Sequence, residues 1–322
     1  MPVLDGRDPA AVQAAARRLA EGGLVGLPTE TVYGLGARAD DDAAVAAIFA
    51  AKGRPKDHPL IVHLADASAA PAFAASMSPA AQALAARFWP GPLTLIVPRR
   101  EGQGAAAAGG QASIGLRVPS HPVALALLHA AAALGVAGVA APSANRFGRV
   151  SPTAAAHVRQ EFGDELLVLD GGDCDVGIES AIVDCTRPQP ALLRPGALDR
   201  RVLEGVIGGP LAAPDAASPR ASGTLEAHYA PQARVVLVDA AELSARLAAG
   251  LPRGHAVYSR LVPPAGVAWR ALPDDPAEAA HELFAALRGF DATGATLVWV
   301  ERPPPDPEWD GVRDRLTRAA AA

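Results

Sequence analysis

The sequence predicts an α/β protein built as two units, and three features predict it. Short apolar runs alternate with helically periodic segments along nearly the whole chain, the pattern of helices covering a sheet. Several of those runs, "PLIVHL" and "LTLIVP" among them, are continuously apolar rather than alternating, as strands buried on both faces are. Residues 208–233, "GGPLAAPDAASPRASGTLEAHYAPQA", then lose all periodicity to Gly, Pro, Ser and Ala and read as a linker between 1–207 and 234–322. With 322 residues, half of them hydrophobic and a fifth charged, both units have the apolar material for a core.

Each element has its own signal. Asp8 caps a first helix, Pro9 suits its first turn, and Gly22-Gly23 stops it. The strand "LVGLP" and a loop, "TETVYGLGA", follow; Asp41 or Asp42 starts "AAVAAIFAAK", which Gly53 closes. "PLIVHL" is a strand, and a helix is expected over about 79–88. "LTLIVP", "SIGLRVP", "GVAAP" and "LLVLD" are further strands, with helices at about 121–133 and 153–161 and "QGAAAAGGQ" as a mobile surface loop. "SAIVDCT" and "ALLRPG" precede a helix near 198–207. Beyond the linker, "ARVVLVD", "HAVYSR" and "ATLVWV" interleave with helices at about 240–249, 276–288 and 308–319, a smaller α/β unit.

Composition excludes several classes. A net charge of −5 argues against a surface built to hold nucleic acid stably, whose footprint is a strongly basic face. Cys174 and Cys185 form no C-x-x-C pair, so no zinc knuckle or disulfide framework is read; both are expected to be buried. The N-terminal "MPVLDGRDPAAVQ" has no signal-peptide pattern and no run approaches the roughly 18 apolar residues of a membrane span. A cytoplasmic location is expected.

Of 29 Lys plus Arg, only Lys52 and Lys56 are lysine, and both fall in "AAKGRPKDHPLIVHL". A cation at a helix C-terminus favours the macrodipole, but arginine would serve equally. A compact ammonium beside the guanidinium of Arg54 is one way to hold a polyphosphate. The P-loop is absent, and Gly34-Leu35-Gly36 lacks the third glycine of a dinucleotide fingerprint. His63 lies inside an apolar strand, where a core histidine is the default; His58 precedes that strand, and neither has a partner at metal-ligand spacing. "PTETVYG" and "APSANRFGRVSP" each place hydroxyls directly after a strand, where open α/β sheets bind ligands. No elbow surrounds Ser143, so ligand-binding hydroxyls fit better than a nucleophile.

Together and in order, "PTETVYGLG", "KGRP" with "HPLIVH", "WPGPLT", "GLRVP", "APSAN" with "SP", and "ESAIVD" with "LLRPG" resemble the Sua5/YrdC/YciO family over about residues 10–200. The linker's "HYAP" and the second unit resemble its two-domain Sua5 form. The resemblance implies a YrdC-like open twisted mixed sheet with helices around a large cleft, plus a smaller Rossmann-like C-terminal domain. It implies synthesis of threonylcarbamoyl-AMP and pyrophosphate from ATP, L-threonine and bicarbonate, with Mg²⁺ carried largely by the phosphates, for t6A modification of tRNA. Downstream t6A transferase proteins are the implied partners. Carried onto matching positions, Thr31, His63, Arg117, the backbone at Ala141 and Ser180 would bind threonine. Arg54, His58, Ser113, Ser143, Ser151, Arg194 and Tyr229 would contact ATP. Lys52, Arg54, Ser143 and Asn145 form the KxR and SxN signatures and would serve the chemistry. Ala181 stands where the family often has threonine, and the linker departs upstream of "HYAP". A YrdC-like carbamoyltransferase, which would carry a large extra domain, and an RNA-binding module, which 4% aromatic content disfavours, are the alternatives.

Overall fold

The structure, a computed structural model, describes residues 3–322. Among them ten strands form one mixed sheet: β1 (Val3–Asp5), β2 (Val25–Leu27), β3 (Gly34–Arg38), β4 (Ile61–His63), β5 (Leu93–Pro98), β6 (Ser113–Arg117), β7 (Val139–Ala140), β8 (Leu167–Asp170), β9 (Ala181–Asp184) and β10 (Ala191–Arg194). Their order is β1-β8-β2-β3-β7-β4-β6-β5-β9-β10. Parallel pairs such as β4 with β6 are mixed with antiparallel ones such as β3 with β7.

Six helices accompany this sheet: α1 (Pro9–Ala20), α2 (Asp42–Lys52), α3 (Pro79–Phe88), α4 (Pro122–Ala133), α5 (Ala155–Phe162) and α6 (Arg200–Ile207). Their ends follow local chemistry: Asp8 accepts from the N–H of Ala10, Asp41 from those of Ala43 and Ala44, and α2 closes on Gly53 in the left-handed conformation. Apolar stripes on α1 and α4 pack together and against β2 and β8, forming one core; β3, β5 and α2 contribute to a larger one. Cys174 and Cys185 are buried free thiols.

The second unit holds β11 (Arg234–Val238), α7 (Ala240–Ala249), β12 (His255–Ser259), β13 (Ala268–Ala271), α8 (Pro276–Ala292), β14 (Leu297–Glu301) and α9 (Asp310–Ala320). Its sheet, in the order β11-β14-β12-β13, is parallel throughout. The two units touch at backbone distance. A side chain at Gly177 would put its first carbon 2.4 Å from the carbonyl oxygen of His281 on α8, and one at Gly311 on α9 would put it 2.6 Å from that of Gly196. Val32, Val150 and Ile178 of the first unit share an apolar cluster with Leu283 and Phe284 of the second.

Three expectations change. The loop read at "TETVYGLGA" contains β3, whose glycines hide the strand signal because a side chain at Gly36 would strike Leu27. β13 escaped notice because it is an exposed edge strand with no apolar alternation. The segment 103–111 is not a solvated loop: Ala107 and Ala108 are fully buried, and Ala107 accepts a hydrogen bond from the N–H of Leu60 at 2.7 Å. Small residues there serve close packing rather than mobility. Among the described residues no helix is long and apolar enough to cross a membrane.

Candidate functional site

The loop after β2 is tied into a fixed shape by its own hydroxyls. Thr29 donates to the carbonyl of Val32 at 2.7 Å and lies 2.8 Å from the hydroxyl of Thr31. This presents Thr31 to Arg117 at the end of β6, which donates to it at 2.9 Å and to the carbonyl of Gly91 at 3.2 Å. The same guanidinium pairs with Glu30 at 2.7 Å. Burial alone would raise the Glu30 carboxyl; Arg117 and backbone N–H groups overcome it and hold that carboxyl below its usual range. His63, ending β4, is pushed down to about 3 by burial and by the neighbouring Arg117 charge, so it is a neutral imidazole.

The opposite wall comes from β9 and β10. Ser180, just before β9, lies 2.8 Å from the hydroxyl of Thr94. Arg194 on β10 donates to the Ser180 carbonyl at 2.9 and 3.1 Å and to its hydroxyl at 3.2 Å. The chain turning out of α2 brings in Arg54, which donates to Pro59 O at 2.9 Å and to the Ser222 hydroxyl at 3.3 Å; burial pulls its guanidinium down to about 10. Residues 220–230 of the linker, the clasp, bring Ser222, Gly223, His228 and Tyr229 into the lining of the pocket. Ser222 binds Pro59 O at 2.6 Å, Arg194 donates to Ser222 O at 2.9 Å, and Tyr229 is buried with its backbone in the left-handed region at φ 63°.

Thr31, Arg54, His63, Arg117, Ala141, Ser143, Ser180, Arg194 and Tyr229 thus line one pocket, nine of the residues expected from the sequence. Five others stand outside it. Ser113 lines an adjoining cleft that shares Ile61 and Ser222 with the pocket. His58 sits behind it, with its ring 5.4 Å from that of Phe147. Asn145 is buried and spends its amide on the carbonyls of Arg146 and Arg149, at 2.8 and 2.9 Å. Ser151 hydrogen-bonds to Glu179.

Lys52 differs most from expectation. Its ammonium is buried behind the wall, donating to the carbonyls of Ser143, at 2.6 Å, and Asn145. Burial, then Arg54, push it well below the ordinary lysine range. A short cation between two carbonyls fits lysine, whose compact head enters where a fork does not. The structure also adds Glu30, Glu179, Ser222, His228 and Arg315, which sequence reasoning left without roles. Glu30, Glu179 and His228 lay within quoted motifs; Arg315 had no signal at all.

Charge decides what the pocket can hold. Arg117 is matched by Glu30, but among the described residues neither Arg54 nor Arg194 comes within 4 Å of a carboxylate, although both are buried. Two buried guanidiniums held only by neutral oxygens leave the pocket in need of an anion.

Comparison with known proteins follows the same lines. A family model described as "Telomere recombination" (Sua5/YciO/YrdC) matches residues 17–196, more than half of the chain, and a second, "Threonylcarbamoyl-AMP synthase, C-terminal domain", matches 198–321. The chain belongs to the Sua5/YciO/YrdC family. The threonylcarbamoyl-AMP synthase of Pyrococcus abyssi is 39% identical over 305 residues, covering 90% of this chain and 88% of that one. That of Bacillus subtilis is 40% identical over 243 residues, covering 73% and 68%. Among solved structures, P. abyssi Sua5 complexed with L-threonine aligns with a TM-score of 0.89 at 36% identity, over 97% of this chain and 95% of that one. A variant of the same protein with a His and a Tyr replaced by Ala aligns at 0.91 and 35%, over 99% and 96%. The chain is a transferase of this family.

Proposed function

We propose that the chain is an L-threonylcarbamoyladenylate synthase, a nucleotidyltransferase that forms L-threonylcarbamoyl-AMP and pyrophosphate from L-threonine, bicarbonate or CO₂, and ATP, for t6A37 modification of tRNA. The observation that carries this reading is the pair of buried arginines without a carboxylate, Arg54 and Arg194, beside a hydroxyl-lined subsite at Thr31, Arg117 and Ser180. The first pair suits phosphates and the second an amino acid with a carboxylate and a hydroxyl. Curated relatives carrying that name, and a relative solved with L-threonine, support it.

In this reading the threonine amine takes up CO₂ and loses a proton to become a carbamate. A carbamate oxygen attacks the α-phosphorus, the bond to the β-phosphate oxygen breaks, and pyrophosphate leaves with the electron pair. The chain's task is positioning and charge stabilisation. Arg117 and Thr31 orient threonine, neutral His63 leaves the amine its proton chemistry, and Ser180 and the Ala141 backbone complete that subsite. Arg54, Arg194, Ser143 and Tyr229 face the nucleotide. His58, Ser113 and Ser151 act from its edges. Lys52 positions Ser143 and Asn145 through their carbonyls. Among the described residues no cluster of three His, Cys, Asp or Glu side chains is placed to hold a metal. Mg²⁺ would enter with the substrate ATP as its counter-ion, and Arg54 and Arg194 would take the phosphate charge it leaves unmatched. The product passes to downstream t6A transferase proteins, and the working compartment is the cytoplasm.

The test is pyrophosphate release from Mg²⁺-ATP with L-threonine and bicarbonate each present, omitted, or replaced by serine. Release that requires both substrates is expected. ATP consumption without threonine would overturn the reading in favour of a carbamoyltransferase.

A further inference from the structure

The C-terminal unit reaches into the site. Arg315 on α9 is fully buried, and all three nitrogens of its guanidinium are hydrogen-bonded across the boundary between the two units or beside it. Its Nε donates to Oε2 of Glu179 at 2.9 Å, one Nη to the Glu179 carbonyl at 3.1 Å, and the other to the carbonyl of Pro195 at 2.7 Å and to Asp314 at 2.9 Å. Glu179 lines the pocket, and its other oxygen accepts from the Ser151 hydroxyl. The same guanidinium stands over the Tyr229 ring, 5.4 Å from its centroid. One turn on, Arg318 donates to the carbonyl of Leu225 in the clasp, and its own carbonyl accepts from the N–H of His228 at 3.2 Å.

We propose that Arg315 is a positioning residue of the reaction: it fixes Glu179, and through it Ser151, while α9 forms the seat on which the clasp closes, so the C-terminal unit is part of the active site. This rests on the synthase reading. Rigid docking supports it, since Gly177 against His281 of α8, and Gly311 of α9 against the Gly196 carbonyl, leave no room for a side chain beside the segments that carry Glu179 and Arg194. Tyr229 sits at a positive φ that an L-residue keeps only when its surroundings enforce it; the Arg315 guanidinium and the Phe284 ring of α8, 5.5 Å away, are two of those surroundings.

The charges around Glu179 set the test. Arg315 from α9 and Arg194 from β10 favour its ionised form, with Lys52 of α2 further off; Asp314, His228 and Tyr229 also face this cluster. Burial pulls the carboxyl upward, and the two arginines and Ser151 more than offset it. Without Arg315 the buried carboxyl rises towards neutrality, takes a proton, and ceases to be a pure acceptor for Ser151.

Pyrophosphate release is therefore measured from pH 6 to 9 for wild type, Arg315→Gln, Arg315→Lys and Glu179→Gln, with trypsin cleavage after the exposed Arg220 as a readout independent of activity. Arg315→Gln is expected to lose about tenfold or more at pH 6 and to recover to within about threefold by pH 9, a new acid limb. Arg315→Lys keeps the charge and restores most of the rate with no acid limb; Glu179→Gln is slow at every pH. Arg315→Gln also releases the clasp, so cleavage after Arg220 quickens about tenfold. A uniform loss across pH, an unchanged profile, or cleavage at the wild-type rate overturns the proposal. If wild type itself makes no threonylcarbamoyl-AMP, the synthase reading fails, and the trypsin comparison still decides the seat for the clasp.

Discussion

Replacing Lys52 by methionine separates its two possible uses. The substitution keeps the length and apolar stem of the side chain and removes only the ammonium. In the structure that ammonium satisfies the carbonyls of Ser143 and Asn145, and the Lys52 carbonyl in turn accepts from the N–H of Phe147 at 3.0 Å. Each buried carbonyl left without a donor costs about 1–3 kcal/mol, while relief from burying a cation returns part of that. We expect a net loss of roughly 2–3 kcal/mol in the ligand-free protein. That corresponds to a fall of about 3–5 °C in the melting midpoint of a chain of this size. Because the loop it ties down carries Ser143 into the pocket, KM for ATP should rise as kcat falls. Calorimetry of the ligand-free variant together with pyrophosphate release measures both. A direct phosphate ligand behaves oppositely: removing a buried ammonium that answers to no protein group would leave the free enzyme as stable or more stable. An unchanged or raised melting midpoint would therefore refute the positioning role.

Arg117→Lys replaces a fork that meets Glu30, Thr31 and Gly91 together with a point charge. KM for threonine should rise about 10-fold or more with KM for ATP little changed, measured by initial rates; equal rises in both would place Arg117 outside a threonine subsite. His63 and His228 are both held down to about 3 by burial, against 6.5 for the ordinary side chain. Between those values the unfolded chain binds two protons the folded one does not, so stability falls as pH drops from about 6.5 towards 3, by about 2.7 kcal/mol per pH unit from these two groups. His63→Gln should reduce the slope of stability against pH by about 1.4 kcal/mol per unit in urea titrations, and an unaltered slope would mean that His63 charges in the folded state. Gly177→Ala should destabilise by roughly 2 kcal/mol or more, through a left-handed backbone and collision with His281, whereas Gly53→Ala, with open space around it, should cost about 1 kcal/mol. Equal thermal shifts for the two would show that the units do not dock as tightly as the backbone distances require.

The sequence by itself determined the two α/β units, most helix ends and the pieces of the pocket. Caps such as Asp8 and Asp41 act within one turn, and the strand-end motifs "PTETVYG", "APSAN" and "ESAIVD" are contiguous strings, so local chemistry suffices to find them. It could not determine which way their side chains face. Lys52 stood out as one of two lysines, but only the return of residues 143–145 behind α2, more than ninety positions along the chain, makes it a tie for two carbonyls. β3 was hidden because close packing against Leu27 demands glycine where strand propensity would show a branched residue. Glu179 and Arg315 meet across 136 positions and two units; Glu179 lies within "ESAIVD", but Arg315 has no local pattern and nothing in the chain's order pairs the two. Burial of a charge is meaningful only with its partner in view, and chain reversal over that distance is decided by tertiary packing alone.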